Sequence, residues 1–214
     1  MQHRFDNTIN KLRPFLETTD PATDDEEEYP FSHSVFDGEG KRAPFEPTGN
    51  RKLDAIVKAA NPVFYYGAAP ANAWPSDSKI VDGVIDGSRG RIDMPHRKQF
   101  RSDADYRSTL AHELVHWTKA KGRAERPHAG RDGWAQLLGI VPDGYPREEM
   151  VAEIGAAILL DYCGVKQDLK ARAAYVNNWG TAIADHHERA NAIDWAIDKA
   201  QEAVDYLLSL SLSP

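Results

Sequence analysis

The residues best suited to chemistry in this chain are His112, Glu113 and His116, which form an HExxH motif. On an α-helix, residues four positions apart lie on the same face, so both imidazoles can reach one tetrahedral zinc ion. The glutamate between them lies beside the metal and can accept a proton from a water. The motif therefore predicts a zinc-dependent hydrolase with His112 and His116 as metal ligands and Glu113 as the catalytic base. The alternative is a structural helix that carries two partly exposed, hydrogen-bonded histidines.

The sequence around the motif predicts the helix that this chemistry needs. Ser102 can cap the helix together with Asp105, and Gly122 can end it. Three apolar residues recur at helical spacing, namely Leu110, Leu114 and Trp117. This stripe predicts that one side of the helix is buried and that the histidine pair lies beside the buried side.

A catalytic zinc site usually has three protein ligands and one open position, so a third ligand must come from elsewhere in the chain. His128 is the next histidine, but we expect it at the surface. Glu148, Glu149 and Glu153 lie in a helix predicted over residues 147–162. Glu149 and Glu153 are four residues apart on an otherwise apolar face, where acidic residues are either paired or bound to metal. The spacing therefore favours a glutamate ligand without choosing one.

The remaining segments predict an α+β fold, in which a small N-terminal sheet packs on the HExxH helix and is followed by a helical C-terminal half. We expect a short helix over residues 50–60, strands at residues 62–66, 79–81, 84–85 and 91–95, and two more helices between residues 168 and 210. Pro95 favours an edge position for the last strand, where an extended peptide could add to the sheet.

Two segments carry a family resemblance. Residues 106–118 read YRSTLAHELVHWT, and residues 145–157 read YPREEMVAEIGAA. Together they resemble the zincin-like metallopeptidase domain of ArdC-type antirestriction proteins and of the polyvalent proteins of plasmids and phages. The resemblance extends over residues 50–208 and implies a zincin-like metallopeptidase fold of the glutamate type, whose zinc is held by two histidines and one helical glutamate.

The resemblance also implies roles for particular residues. It implies Glu149 as the third zinc ligand and Glu153 as the acid that accepts a hydrogen bond from a ligand histidine, with the reverse assignment left open. Tyr145 is a candidate for stabilising the transition state, and His128 is an alternative for that role.

Composition limits the classes of partner. The chain has 214 residues and a formal net charge of -7, which argues against broad binding to a nucleic-acid backbone. We therefore expect direct nucleic-acid binding to be weak, and we expect the basic residues at 89–101 and 119–126 to form a solvated rim.

The sequence contains no membrane-length apolar run and no signal peptide, so we expect a cytoplasmic protein. The single cysteine, Cys163, is expected to be a reduced core residue.

The N-terminal segment differs from the rest of the chain. Residues 1–49 are acidic and rich in proline, and we interpret them as an arm that lies over a metallopeptidase domain formed by residues 50–214. The acidic run at residues 24–28 could imitate the charge of a nucleic acid toward a DNA-binding partner.

Two functions follow from these patterns. The first is a zinc metallopeptidase from a mobile genetic element, which hydrolyses a protein or peptide substrate with a zinc-activated water. Its biological role would be antirestriction or the inhibition of other host defences. Its partner could be a host or phage DNA-binding protein. The second is a non-catalytic antirestriction binding protein with a structural zinc and an acidic, DNA-mimicking surface. Activity that survives the loss of Glu113 would favour the second function.

Overall fold

The computed structural model describes residues 5–16, 41–67, 72–74, 80–81, 84–85, 90–120, 122–126, 144–181 and 186–211. Its helices are α1 (Asp6–Leu16), α2 (Arg51–Ala60), α3 (Asp103–Trp117), α4 (Gly144–Tyr162), α5 (Leu169–Thr181) and α6 (His186–Ser211), with a short 3-10 helix at Arg97–Gln99. Its strands are β1 (Lys41–Arg42), β2 (Val63–Tyr66), β3 (Asn72–Trp74), β4 (Ile80–Val81), β5 (Val84–Ile85) and β6 (Arg91–Met94). The predicted α+β class is confirmed.

The main sheet has the strand order β1-β2-β6-β3. Strand β6 pairs in parallel with β2 and antiparallel with β3, so the prediction that it lies at an edge is wrong. Pro95 directly follows the last paired residue, Met94, and therefore removes no hydrogen bond from the ladder. Among the described strands β3 pairs only with β6, and the sequence did not predict β3. The separate β4–β5 hairpin matches its predicted strands.

Helix α3, which carries the HExxH motif, begins as predicted and ends earlier. The Ser102 hydroxyl accepts a hydrogen bond from the backbone N–H of Asp105 at 3.1 Å. The helix stops at Trp117 because the hydroxyl of Thr118 and the guanidinium of Arg126 both donate to the carbonyl of Val115. The helix therefore ends several residues before Gly122, where the sequence predicted its end.

Helices α3 and α4 lie in direct contact. Gly155 of α4 faces Val115 of α3, and a Cβ atom at Gly155 would lie 2.9 Å from the methyl groups of Val115. Only a glycine allows this approach, which brings the glutamates of α4 next to the histidines of α3. Leu110 and Leu114 of α3 are fully buried in the same apolar core as Ile154 of α4.

Helix α1 was not predicted. Its apolar side is buried through Ile9, Leu12 and Leu16, and the side-chain amide of Asn177 on α5 donates to the carbonyl of Phe15 at 2.8 Å. The segment interpreted as an arm thus includes a helix that packs on the domain. The acidic run at residues 24–28 lies outside the described residues, and the domain boundary after residue 49 stays a prediction.

Two further expectations concern the single cysteine and membrane-spanning segments. Cys163 is buried, and burial raises the pKa of its thiol to about 11, which is typical of an unreactive core cysteine. Among the described helices, none is long and apolar enough to cross a membrane.

Candidate metal centre

Three side chains from two helices converge on one point. His112 and His116 come from α3 and Glu149 comes from α4, and one potential ligand atom from each lies within 4.8 Å of the others. The two Nε2 atoms are 3.0 Å apart. His112 Nε2 lies 3.4 Å from Glu149 Oε2, and His116 Nε2 lies 3.5 Å from Glu149 Oε1. The structure thus brings together two imidazole nitrogens and one carboxylate, all facing the same point.

These distances fit a metal ion. Zinc binds nitrogen and oxygen at about 2.0–2.2 Å in tetrahedral geometry, which places two ligand atoms roughly 3.3 Å apart. The three distances in the structure lie on either side of this value, so His112, His116 and Glu149 could share one ion with little movement. Two imidazoles and a carboxylate form a donor set that suits a divalent transition metal. The cluster is therefore a candidate site for such an ion.

Two other glutamates of α4 lie beside the outer nitrogens of the histidines. His112 Nδ1 lies 2.8 Å from Glu153 Oε1, and His116 Nδ1 lies 3.0 Å from Glu148 Oε1. A carboxylate at this distance favours a proton on Nδ1, which leaves Nε2 free to bind a metal. The resemblance implied that Glu153 accepts a hydrogen bond from a ligand histidine, and this role stays a prediction. Glu148, one of the candidate third ligands, lies instead on the outer side of His116.

Two buried arginines complete this arrangement, and the sequence analysis missed both. Arg126 donates from Nε and Nη2 to the carboxylate of Glu148 at 2.9 and 2.8 Å, and Arg172 of α5 donates to Glu153. Arg126 is only 2% exposed, so its placement in a solvated rim was wrong. The acidic residues on an apolar face did predict charged partners, but nothing in the pattern pointed to these arginines.

The arginines keep the outer glutamates ionised. Burial raises the pKa of Glu148, but hydrogen bonds from Arg126 and His116 outweigh burial and lower the pKa to about 2. Burial likewise opposes ionisation of Glu153, and the charges of Arg172 and His112 nonetheless lower its pKa. Both groups therefore remain acceptors for the histidines over the physiological pH range.

The centre of the cluster attracts positive charge. Burial raises the pKa of Glu149, but the neighbouring His116 and His112 outweigh burial and hold that pKa well below its usual value. Burial lowers the pKa of both histidines, yet the carboxylates, chiefly Glu153 for His112 and Glu149 for His116, raise it overall. A divalent cation would therefore compete with protons for the two Nε2 atoms, and its binding would release protons.

Glu113 is the carboxylate that lies between the two histidines in the sequence of α3. It is buried beside the two histidines, and its Oε2 has no hydrogen-bond partner among the described residues. Burial raises the pKa of its carboxyl, which brings the group closer to the range in which a base is effective near neutral pH.

Two candidates from the sequence lie outside the described atoms, and one residue was missed. His128 and the side chain of Tyr145 are not described. Tyr175 of α5 is half-buried, and burial together with the charges of Glu149, Glu153 and Glu113 raises the pKa of its phenol. The phenol therefore stays protonated and can donate a hydrogen bond. No signal in the sequence distinguished this tyrosine from the others.

We expect Glu153→Gln to weaken metal binding by about 10- to 100-fold, because the variant loses the charge that orients His112. Competition with a chromogenic chelator measures this affinity. Glu202→Gln is the matched control, since Glu202 is an exposed residue that pairs with Lys199 on the surface of α6. Equal affinities in the Glu153 and Glu202 variants would show that Glu153 has no role in metal binding.

Comparison with known proteins places the chain in a family. Residues 83–193, about half of the chain, match the family MPTase-PolyVal, described as a zincin-like metallopeptidase. The chain belongs to this zincin-like family. The match includes both the HExxH helix and helix α4, and it confirms the zincin-like α+β fold expected from the sequence.

Individual relatives are consistent with this assignment. The chain is 30% identical to the antirestriction protein ArdC from plasmid R388, whose Mn(II)-bound crystal structure aligns with a TM-score of 0.54 over 81% of this chain and 55% of that one. Two Escherichia coli proteins named DNA primase TraC are also similar. One is 32% identical over 181 residues, or 84% of this chain and 11% of the relative, and the other is 37% identical over 98 residues, or 46% and 8%. The chain thus spans about a tenth of the TraC proteins and just over half of ArdC. The predicted resemblance to ArdC is confirmed.

Proposed function

We propose that this protein is a zinc metallopeptidase that hydrolyses a peptide bond. The observation that carries the proposal is the cluster of His112, His116 and Glu149, which has metal-binding distances, with the unpartnered carboxylate oxygen of Glu113 beside it on the same helix. A zinc ion bound there would supply a Lewis acid that polarises a carbonyl and acidifies a water.

The remaining chemistry belongs to side chains of this protein. His112, His116 and Glu149 would hold the ion, which would supply the Lewis acid. Glu113 accepts a proton from the attacking water and then delivers it to the departing amine. Its burial keeps bulk water from stabilising the charged carboxylate, which increases its basicity.

The sheet offers a place for an extended substrate. Strand β3 contacts α3 and, among the described strands, pairs on one side only. An extended peptide added to β3 would lie next to the HExxH helix through backbone hydrogen bonds. Because β6 is paired on both sides, β3 takes the role that the sequence analysis gave to β6.

Zinc is the metal we propose, although the ArdC relative was solved with Mn(II). Imidazole ligands favour zinc over manganese, since the affinity of a nitrogen-containing site for divalent metals is weakest for manganese in the first-row series. The ligand-atom separations of 3.0 to 3.5 Å also match tetrahedral zinc geometry.

The relatives suggest the setting. ArdC is named as an antirestriction protein of a plasmid, so we propose that this protein is encoded by a mobile genetic element and acts in the cytoplasm against a host or phage DNA-binding protein. The net charge of -7 supports a protein partner over direct binding to nucleic acid.

A peptide library tests the proposed activity. We expect the zinc-loaded protein to generate new peptide termini, detected by mass spectrometry, and the chelator-treated protein to generate none. Restoration of cleavage by added zinc excludes loss through unfolding. Absence of cleavage by the zinc-loaded protein, against both a peptide library and native host extracts, would contradict the proposal.

The rival function is a binding protein that acts through its acidic run. The antirestriction name of the solved relative favours testing it. Replacing the acids at residues 24–28 by their amides removes the charge and leaves the metal cluster intact. In an antirestriction assay, the peptidase proposal expects this variant to act like the parent, whereas the rival expects it to be inactive.

A further inference from the structure

Two buried series of interacting side chains, which we treat as chains of contacts, extend from the candidate metal centre. In the first, Arg126 holds Glu148, which holds His116. In the second, Arg172 donates to Glu153, and Oε1 of Glu153 lies 2.8 Å from His112 Nδ1. We call these chains the Arg126 triad and the Arg172 triad. Each metal-facing histidine therefore has its own glutamate and its own arginine.

Besides its hydrogen bonds to Glu148, Arg126 donates hydrogen bonds at the C-terminal end of the HExxH helix. Its Nη1 donates to Thr118 Oγ1 at 2.9 Å and to the carbonyl of Ala124, and its Nη2 donates to the carbonyl of Val115 at 2.9 Å. These bonds secure the C-terminal end of the HExxH helix. Loss of Arg126 would therefore disturb both the helix end and the metal centre.

Arg172 makes fewer contacts of this kind, and it joins α5 to α4 and α3 at the metal centre. From α5 its Nη1 donates to the carboxylate of Glu153 on α4, and its Nη2 donates to Ser108 Oγ at 2.5 Å. Ser108 lies on α3 four residues before His112, about one turn away on the same face. Arg172 thus fixes Glu153 relative to the helix that carries His112.

The charges of the centre balance only when all of these groups are counted. Four buried carboxylates surround it, those of Glu113, Glu148, Glu149 and Glu153, and two buried guanidiniums, those of Arg126 and Arg172, face the outer pair. Two negative charges remain, and one divalent cation would neutralise them. Buried charge is tolerated when it is paired, so the arginines neutralise the outer glutamates and leave Glu149 and Glu113 to face the ion.

We propose that Arg126 and Arg172 are positioning residues that hold Glu148 and Glu153 on the outer histidine nitrogens and thereby leave Glu149 as the carboxylate that completes the metal site. Without its arginine, Glu148 or Glu153 is free to turn toward the ion and compete with Glu149. This inference rests on the metal-binding part of the proposed function and does not require that the protein be an active peptidase.

The Arg172 triad provides the cleaner test. We expect Arg172→Met to lower zinc affinity by about 10- to 100-fold in chelator competition, the range typical for groups that orient metal ligands. We also expect a changed visible spectrum when cobalt(II) replaces zinc, because the ligand set or its geometry changes. Arg97→Met is the control, since it breaks an exposed ion pair with Asp103 at the far end of α3.

A double-mutant cycle separates positioning from general stability. If Arg172 acts through Glu153, then Arg172→Met should cause no further loss of affinity in a Glu153→Gln background, beyond about twofold. Parent affinity and an unchanged cobalt spectrum in Arg172→Met, together with a lower unfolding temperature, would assign Arg172 a structural role only and overturn the proposal.

A second variant covers the case in which Arg172→Met does not fold. Arg172→Gln removes the charge and retains hydrogen-bonding capacity toward Ser108, and we expect it to lose affinity and to change the cobalt spectrum in the same way. Parent affinity and spectrum in folded Arg172→Gln would overturn the proposal. If the parent binds zinc with this dependence on Arg172 yet cleaves no peptide, the proposed function fails and the positioning role stands.

Discussion

Glu113→Gln is expected to lower the rate of peptide hydrolysis by about 10²- to 10⁴-fold, the usual contribution of a positioned general base. The amide keeps the size of the carboxylate but cannot accept the proton of the attacking water. Because Glu113 lies outside the three-residue ligand cluster, the variant should bind zinc with the affinity of the parent. Initial rates on one identified peptide, at equal zinc occupancy, measure the effect.

A matched control for Glu113→Gln is Glu125→Gln, an exposed residue beyond the end of α3. The control should hydrolyse peptide at the parent rate. Parent potency of Glu113→Gln in an antirestriction assay would favour the rival binding function, whereas the parent rate in a peptidase assay would show that Glu113 is not the general base.

Replacing either metal-facing histidine should have the largest effect on metal content. His112→Ala and His116→Ala each remove one of the three proposed protein ligands, so we expect zinc affinity to fall by more than about 100-fold, the upper end of the cost of losing an orienting partner. Metal analysis after gel filtration should find about one zinc per parent chain and far less in either variant.

His96→Ala is the control for the histidine variants, because His96 is a partly exposed residue that pairs with Glu46 away from the cluster. It should retain the zinc content of the parent. One zinc per chain in a His112→Ala, His116→Ala double variant would remove the basis of the proposed metal site.

Local patterns predicted the elements that carry the site. The i, i+4 spacing of His112 and His116 required a helix, and the Ser102 cap located its start. The same spacing put Glu149 and Glu153 on one face of a predicted helix, and in the structure Glu149 lies near the two Nε2 atoms and Glu153 near His112 Nδ1. These features depend on residues within one or two helical turns, which is why the sequence alone reveals them.

Features that depend on distant parts of the chain were not predictable. The position of β6 between β2 and β3 is decided by strand pairing across the fold, and Pro95 carried no information about it. The burial of Arg126 depends on Glu148, which lies 22 residues further along the chain. Helix α1 is stabilised by packing on α5. It was missed because the acidic, proline-rich composition of residues 1–49 did not predict a helix.

The most direct test of the account is an anomalous-scattering measurement at the zinc absorption edge, on crystals of the protein grown with zinc. The account predicts one strong peak per chain, about 2.0–2.2 Å from His112 Nε2, His116 Nε2 and one oxygen of Glu149, with Glu113 close by but not bonded to the ion. A peak coordinated by Glu153 or Glu148 in place of Glu149, or the absence of a peak between the two histidines, would contradict it.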